Sequence, residues 1–142
     1  MINEKIGTEV ALAEFFRICE NWDLDYDVTE MKEGDAEGFE NLQRKLVKAI
    51  RTGHLTVDDE GTPTFRMKYA AEAGFEELEA LTFKIPAASA VATWDRFKDG
   101  QNVAKLNSYL GNMTKQPPAV FIKMDSRDWM VCQALAQIFL GS

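Results

Sequence analysis

Apolar residues recur at helical spacing over the long stretches of this chain and at a spacing of two over a few short ones. After Thr8, a residue suited to cap a helix, Val10, Leu12, Phe15, Phe16 and Cys19 predict a helix over about Thr8 to Asn21. Trp22, Leu24 and Tyr26 then alternate with Asp23, Asp25 and Asp27, as in an extended segment or a loop whose aromatic side faces the core. A longer helix is expected from near Asp35, with Phe39, Leu42, Leu46 (or Val47) and Ile50 inward and Gly53 as its stop. Its acids precede its bases, Arg44, Lys45, Lys48 and Arg51, an order that suits the helix dipole. Beyond Gly53 the period changes: Leu55 and Val57, the turn residues Asp58-Asp59-Glu60-Gly61, then Thr62-Pro63-Thr64-Phe65 and Met67 predict a β-hairpin. Gly61 can take the positive φ of such a turn, and Pro63, lacking an amide hydrogen, implies an edge strand or an outward-facing position.

The mixed stretch Tyr69 to Glu77, which could itself form a short helix, separates this N-terminal helix-helix-hairpin unit (residues 1–68) from a C-terminal unit (residues 69–142). There Leu81, Phe83 and Ile85 alternate with Thr82 and Lys84 up to Pro86, as in a strand ended by proline. Small residues from Ala87 to Ala92 lead into Trp94 and Phe97 in a helix that Gly100 interrupts. Val103, Leu106, Tyr109 and Leu110 continue at helical spacing to Gly111, and Pro117-Pro118 marks a rigid connection into the last helix. That helix has Asp125 or Ser126 as its cap, Asp128 in its first turn and Gly141 at its end. Trp129, Cys132, Ala136, Phe139 and Leu140 form its apolar stripe, which Val131, Leu135 and Ile138 widen until little of the circumference is polar. Such a helix must be covered, by its own domain or by another chain. The expected fold class is α+β, mainly helical: a strand and about three helices following the N-terminal unit.

Composition narrows the function. With 142 residues, 46% of them hydrophobic, the chain can bury a core, as one domain or as two small subdomains. No run approaches the roughly 18 apolar residues of a membrane helix. The N-terminus, with Glu4 and Glu9 beside Lys5, lacks the profile of a signal peptide, so a cytoplasmic protein is expected. Cys19 and Cys132 lie on apolar helix faces and read as reduced core thiols. A net charge of −7 argues against unaided binding to nucleic acid, itself a polyanion.

Chemistry finds little purchase. Asp23, Asp25 and Asp27 match the first ligand positions of a calcium loop, but Val28 stands where the turn glycine belongs and Gly34 where the bidentate glutamate belongs. A solvated acidic loop is the better account. The acids between Glu20 and Glu40 are too many to single out a catalytic pair. His54, the only histidine, removes multi-histidine metal sites, and thiols on apolar faces are poor nucleophiles. The bases late on the second helix balance Glu37, Glu40 and the dipole better than they serve phosphate. No catalytic residue, metal or cofactor is assigned; the expectation is a non-enzymatic protein that binds proteins, with self-association open to it. Alternatives are a small acidic regulator, a DNA-mimicking adaptor, or a small enzyme using the N-terminal carboxylates.

Two strings carry a family resemblance: Leu81-Thr82-Phe83-Lys84-Ile85-Pro86, and Met124-Asp125-Ser126-Arg127-Asp128-Trp129 with Phe139-Leu140 closing the same helix. With the step Tyr109-Leu110-Gly111 between them, residues 77–142 resemble the tail assembly chaperones of tailed phages and prophages, of the E type in Mu-like contractile tails. Residues 1–68 fall outside that pattern, and Trp129 stands where the pattern has an aliphatic residue. The resemblance implies a factor that coats a long, hydrophobic tape-measure protein in the bacterial host cell until tube subunits replace it. It also implies a partner surface at Trp129, Phe139 and Leu140, with Tyr109 and Leu110. The alternative for these five residues is that they are core.

Overall fold

Helix α1 (Thr8–Asn21) buries Ala11, Phe15, Ile18 and Cys19, one stripe at helical spacing, in a computed structural model that describes residues 6–92 and 102–140. Gly7, not Thr8, occupies the N-cap and supplies no side-chain bond, and Val10, expected inward, is 55% exposed. The helix ends where Asp23 turns left-handed (φ 55°): the Asp23 and Leu24 amides then donate to the Glu20 and Cys19 carbonyls, the paired closure of a Schellman stop. Trp22 and Leu24 are buried and Asp23, Asp25 and Asp27 exposed, so the alternation marks a loop with an apolar inner side. A 3-10 turn at Val28–Glu30 follows it.

Helix α2 (Glu33–Arg51) starts two residues before the expected Asp35 and buries Phe39, Leu46, Val47, Ala49 and Ile50, with Leu42 half-buried. Its end repeats the α1 closure, with Gly53 (φ 82°) in the left-handed position and the Gly53 and His54 amides donating to Ile50 and Ala49. Strands β1 (Leu55–Val57), β2 (Pro63–Arg66) and β3 (Ala80–Thr82) form one antiparallel sheet in that order. The register sets Leu55 beside Phe65 and Phe65 beside Leu81, all at most 2% exposed, while Thr56, Thr64 and Thr82 line the other face. A one-residue slip would exchange the two rows, so burial fixes the pairing. At Gly61 (φ 90°) a side chain would run into the Arg17 carbonyl, which holds the hairpin turn against α1.

Several expectations are corrected here. β2 is the middle strand, not an edge; Pro63 fits because it is the first residue of the strand, and its carbonyl accepts from the Phe83 amide. β3 stops at Thr82, and Ile85 is 41% exposed because the chain leaves the sheet toward α4, where the Lys84 amide meets the Met113 carbonyl. Residues 69–77 form hydrogen-bonded turns, not a helix. Of the helix expected from Ala87 onward, α3 (Ser89–Ala92) is described; Trp94, Phe97 and Gly100, like Gly141, lie outside the described residues. α4 (Asn102–Thr114) continues past Gly111, and a further short helix, α5 (Ala119–Lys123), follows Pro118 before α6 (Ser126–Leu140).

The architecture is α+β and mainly helical. α1 and α6 both pack on α2, and the sheet packs against α1 and α2. The residues on either side of the expected boundary are joined twice: β2 pairs with β3 across it, and the Lys68 and Tyr69 amides donate to the Asp128 carboxylate of α6 at 2.9 and 2.8 Å. One continuous core takes residues from both halves.

Candidate protein-binding groove

α6 is amphipathic only in a narrow sense, and the fold spends nearly all of its apolar surface internally. Cys132, Leu135 and Ala136 are 0% exposed, and Ala134 and Ile138 at most 2%. Of the five residues proposed to meet a partner, Tyr109 and Leu110 are sealed in the core at 1% and 0% exposure. Trp129 is half-buried, and its indole nitrogen donates to Asn107 Oδ1 at 2.7 Å. Phe139, also half-buried, meets Trp22 edge-on at 6.3 Å and stacks with Tyr109 at 6.5 Å. Leu140 is half-buried against the same core. The stripe is therefore mostly covered by its own chain, with the outer edges of Trp129, Val131, Phe139 and Leu140 facing solvent.

The last turns of α6 pass the start of α2 and leave a cleft of about 450 Å³ between them and the 23–31 loop. Its walls are Met31, Gly34, Gly38, Phe39, Leu42 and Ile138, and Asp25, Asp35 and Gln137 stand around them. Gly34 and Gly38 lie one helical turn apart, and a Cβ built on either meets nothing within 4 Å. Glycine in a helix interior is about 1 kcal/mol less favourable than alanine, and at Gly38 no packing demand among the described residues accounts for it. The two glycines leave helix backbone bare at the floor of an apolar groove flanked by the Asp25 and Asp35 carboxylates. Their spacing, one helical turn apart in a helical pattern, is the trace the groove leaves in the sequence.

The neighbouring acids are turn-formers. Asp23 occupies the left-handed stop of α1, Asp25 Oδ1 accepts the Asp27 amide at 3.1 Å, and Asp27 Oδ1 accepts the Thr29 amide and hydroxyl at 3.0 and 2.6 Å. Among the described residues no group of three or more His, Cys, Asp or Glu is placed to hold a metal ion. Burial pushes the Cys19 thiol up to about 12 and the Cys132 thiol well above its ordinary value, which keeps both protonated at neutral pH.

The bases late on α2 do not act as one cluster. Arg44 donates to Asn41 Oδ1 at 3.2 Å, whereas Lys45 and Lys48, one turn apart, line a second cleft of about 470 Å³ with His54, Lys68, Tyr69 and Arg127. Arg127 is held by Asp125 through two 2.9 Å bonds and lies 3.5 Å from the Tyr69 ring centroid. The guanidinium and the Arg127 amide hold the Asp125 carboxyl at about 2, while the same side chain caps α6. α2 and α6 thus run antiparallel, with a groove flanked by Asp25 and Asp35 at one end of their contact and a base-lined cleft at the other. In comparisons with known protein families, curated proteins and solved structures, the chain matches none.

Proposed function

We propose that this chain is a non-enzymatic protein-binding factor of phage or prophage origin, a tail assembly chaperone-like protein that holds a hydrophobic tail component soluble. The observation that carries the reading is the groove beside Gly34 and Gly38, apolar on its walls and acidic around them. An apolar side chain of a partner gains about 1.5–3 kcal/mol on full burial there, and the surrounding carboxylates favour a Lys or Arg beside it. One such contact is weak. A long apolar partner that offers many equivalent segments is held by many copies at once, each exchangeable, which is what a temporary coat requires. The strings that resemble the chaperone family fall on β3 with the residues after it and on the first turns of α6. In the proposed contact surface Gln137 and Ile138 take part with α2, while Tyr109 and Leu110 serve as core. The proposed place of action is the host cytoplasm.

Gly38→Leu tests the reading, because a Cβ at this position has open space around it and a larger side chain there would occupy the groove. Co-expression with a tape-measure-like tail protein is expected to yield a soluble complex with the wild-type chain and none with a folded Gly38→Leu variant. A tape measure equally insoluble with and without the wild-type chain, or a complex indifferent to Gly38→Leu, would sink it.

A further inference from the structure

The cleft at the other end of the α2–α6 contact concentrates positive charge on a chain whose net charge is −7. Lys45 and Lys48 reach it from α2, Lys68 from the end of β2, and Arg127 from the first turn of α6. Of these, Arg127 is committed to Asp125 and to the face of Tyr69. Among the described residues, no ion pair or side-chain hydrogen bond engages Lys45, Lys48 or Lys68; Lys68 has only its 5.6 Å approach to the Tyr69 ring. Two acids at the start of α6 are already used: Asp125 holds Arg127, and Asp128, in the cleft wall, accepts from two backbone amides. Three lysines lining one concavity repel one another, and an anion seated among them would relieve that repulsion.

His54 also borders the cleft, but its Nδ1 is shielded from solvent and so from a ligand seated there. The remaining wall is apolar: Ala49, Phe65, Met130 and Val131, with Met130 42% exposed. A bare inorganic anion would leave that wall unused. A volume of about 470 Å³ suits a small organic molecule.

We infer that this cleft is a binding site for a small phosphate monoester carrying an apolar or aromatic body. The phosphate sits among Lys45, Lys48 and Lys68, and the body lies along Met130 and Val131. This site is independent of the Gly38 groove, so either can fail alone.

The test is an amide NMR titration of the full chain with phenyl phosphate, inorganic phosphate and benzoate, each at matched ionic strength. Phenyl phosphate is expected to shift the Thr52, His54, Lys68, Tyr69 and Met130 amides saturably, and to bind about tenfold more tightly than inorganic phosphate, on the order of 1.4 kcal/mol. Benzoate, with one charge, should bind more weakly than phenyl phosphate. Lys45→Gln/Lys48→Gln should weaken phenyl phosphate binding at least tenfold with an unchanged fold; Lys68→Gln, at an exposed position, serves if the double variant does not fold. Shifts scattered over all surface lysines, no saturation, or equal affinity in the folded variants would overturn the site. Inorganic phosphate binding as tightly as phenyl phosphate would overturn the apolar half of the inference.

Discussion

Asp128, only 2% exposed, accepts hydrogen bonds from the Lys68 and Tyr69 amides at 2.9 and 2.8 Å. A buried carboxylate is tolerable when its oxygens are matched in this way, and the match joins the segment after β2 to the first turn of α6. Removing the carboxylate leaves two amides unpaired in a part-buried place, each a loss of about 1–3 kcal/mol. Asp128→Ala is therefore expected to lower stability by about 3 kcal/mol in urea denaturation, and Asp128→Asn, which keeps one acceptor, by less. A loss under about 0.5 kcal/mol for Asp128→Ala would show that the amides find other partners. Position in the chain marked Asp128 as an anion at a helix start, which it is; its partners, some sixty residues away, could not be read from spacing. Asp23 makes a complementary point. It resembled a metal ligand because acids alternate there, yet its φ of 55° makes it the stop of α1, a role asparagine and aspartate fill when glycine is absent.

At the scale of elements, α1, α2 and α6 were legible because each buries a stripe of apolar residues at helical spacing, a signal that no local turn chemistry disguises. The hairpin was legible for the same reason at period two, with Gly61 in the turn. α5 was not, because Pro117-Pro118 reads as a connection while Pro118 here adopts helical angles and starts a helix. β3 was overextended because Ile85 continues the alternation although nothing remains to pair with it. The groove was illegible for a different reason: it exists only where α6 passes α2, and no single stretch contains it. Gly34 and Gly38 are its local trace. Since a Cβ at Gly38 would meet open space, Gly38→Ala is expected to raise stability by about 0.5–1 kcal/mol through helix propensity alone, seen as a higher midpoint in thermal or urea unfolding. A destabilised Gly38→Ala would mean that the position is crowded, and the groove would lose its floor.

For the whole molecule, the decisive fact is that neither half closes its own surface. β2 is a central strand whose second neighbour, β3, comes from beyond residue 68, and Phe65 is buried between Leu55 on one side and Leu81 on the other. α2 shows the same dependence, since α6 covers it along its length. Residues 1–68 alone would keep α1, α2 and a two-stranded hairpin, which is marginal in water without a third strand, and would expose the faces that β3 and α6 cover. A fragment of residues 1–68 is accordingly expected to show reduced helix by circular dichroism and no cooperative urea transition. A sigmoidal transition in that fragment would establish an autonomous N-terminal unit. The consequence reaches function, because both clefts take walls from α2 and α6. If the halves fold only together, any partner or ligand held at either end of that contact also holds the halves together, and binding must raise the stability of the intact chain while leaving the fragment indifferent.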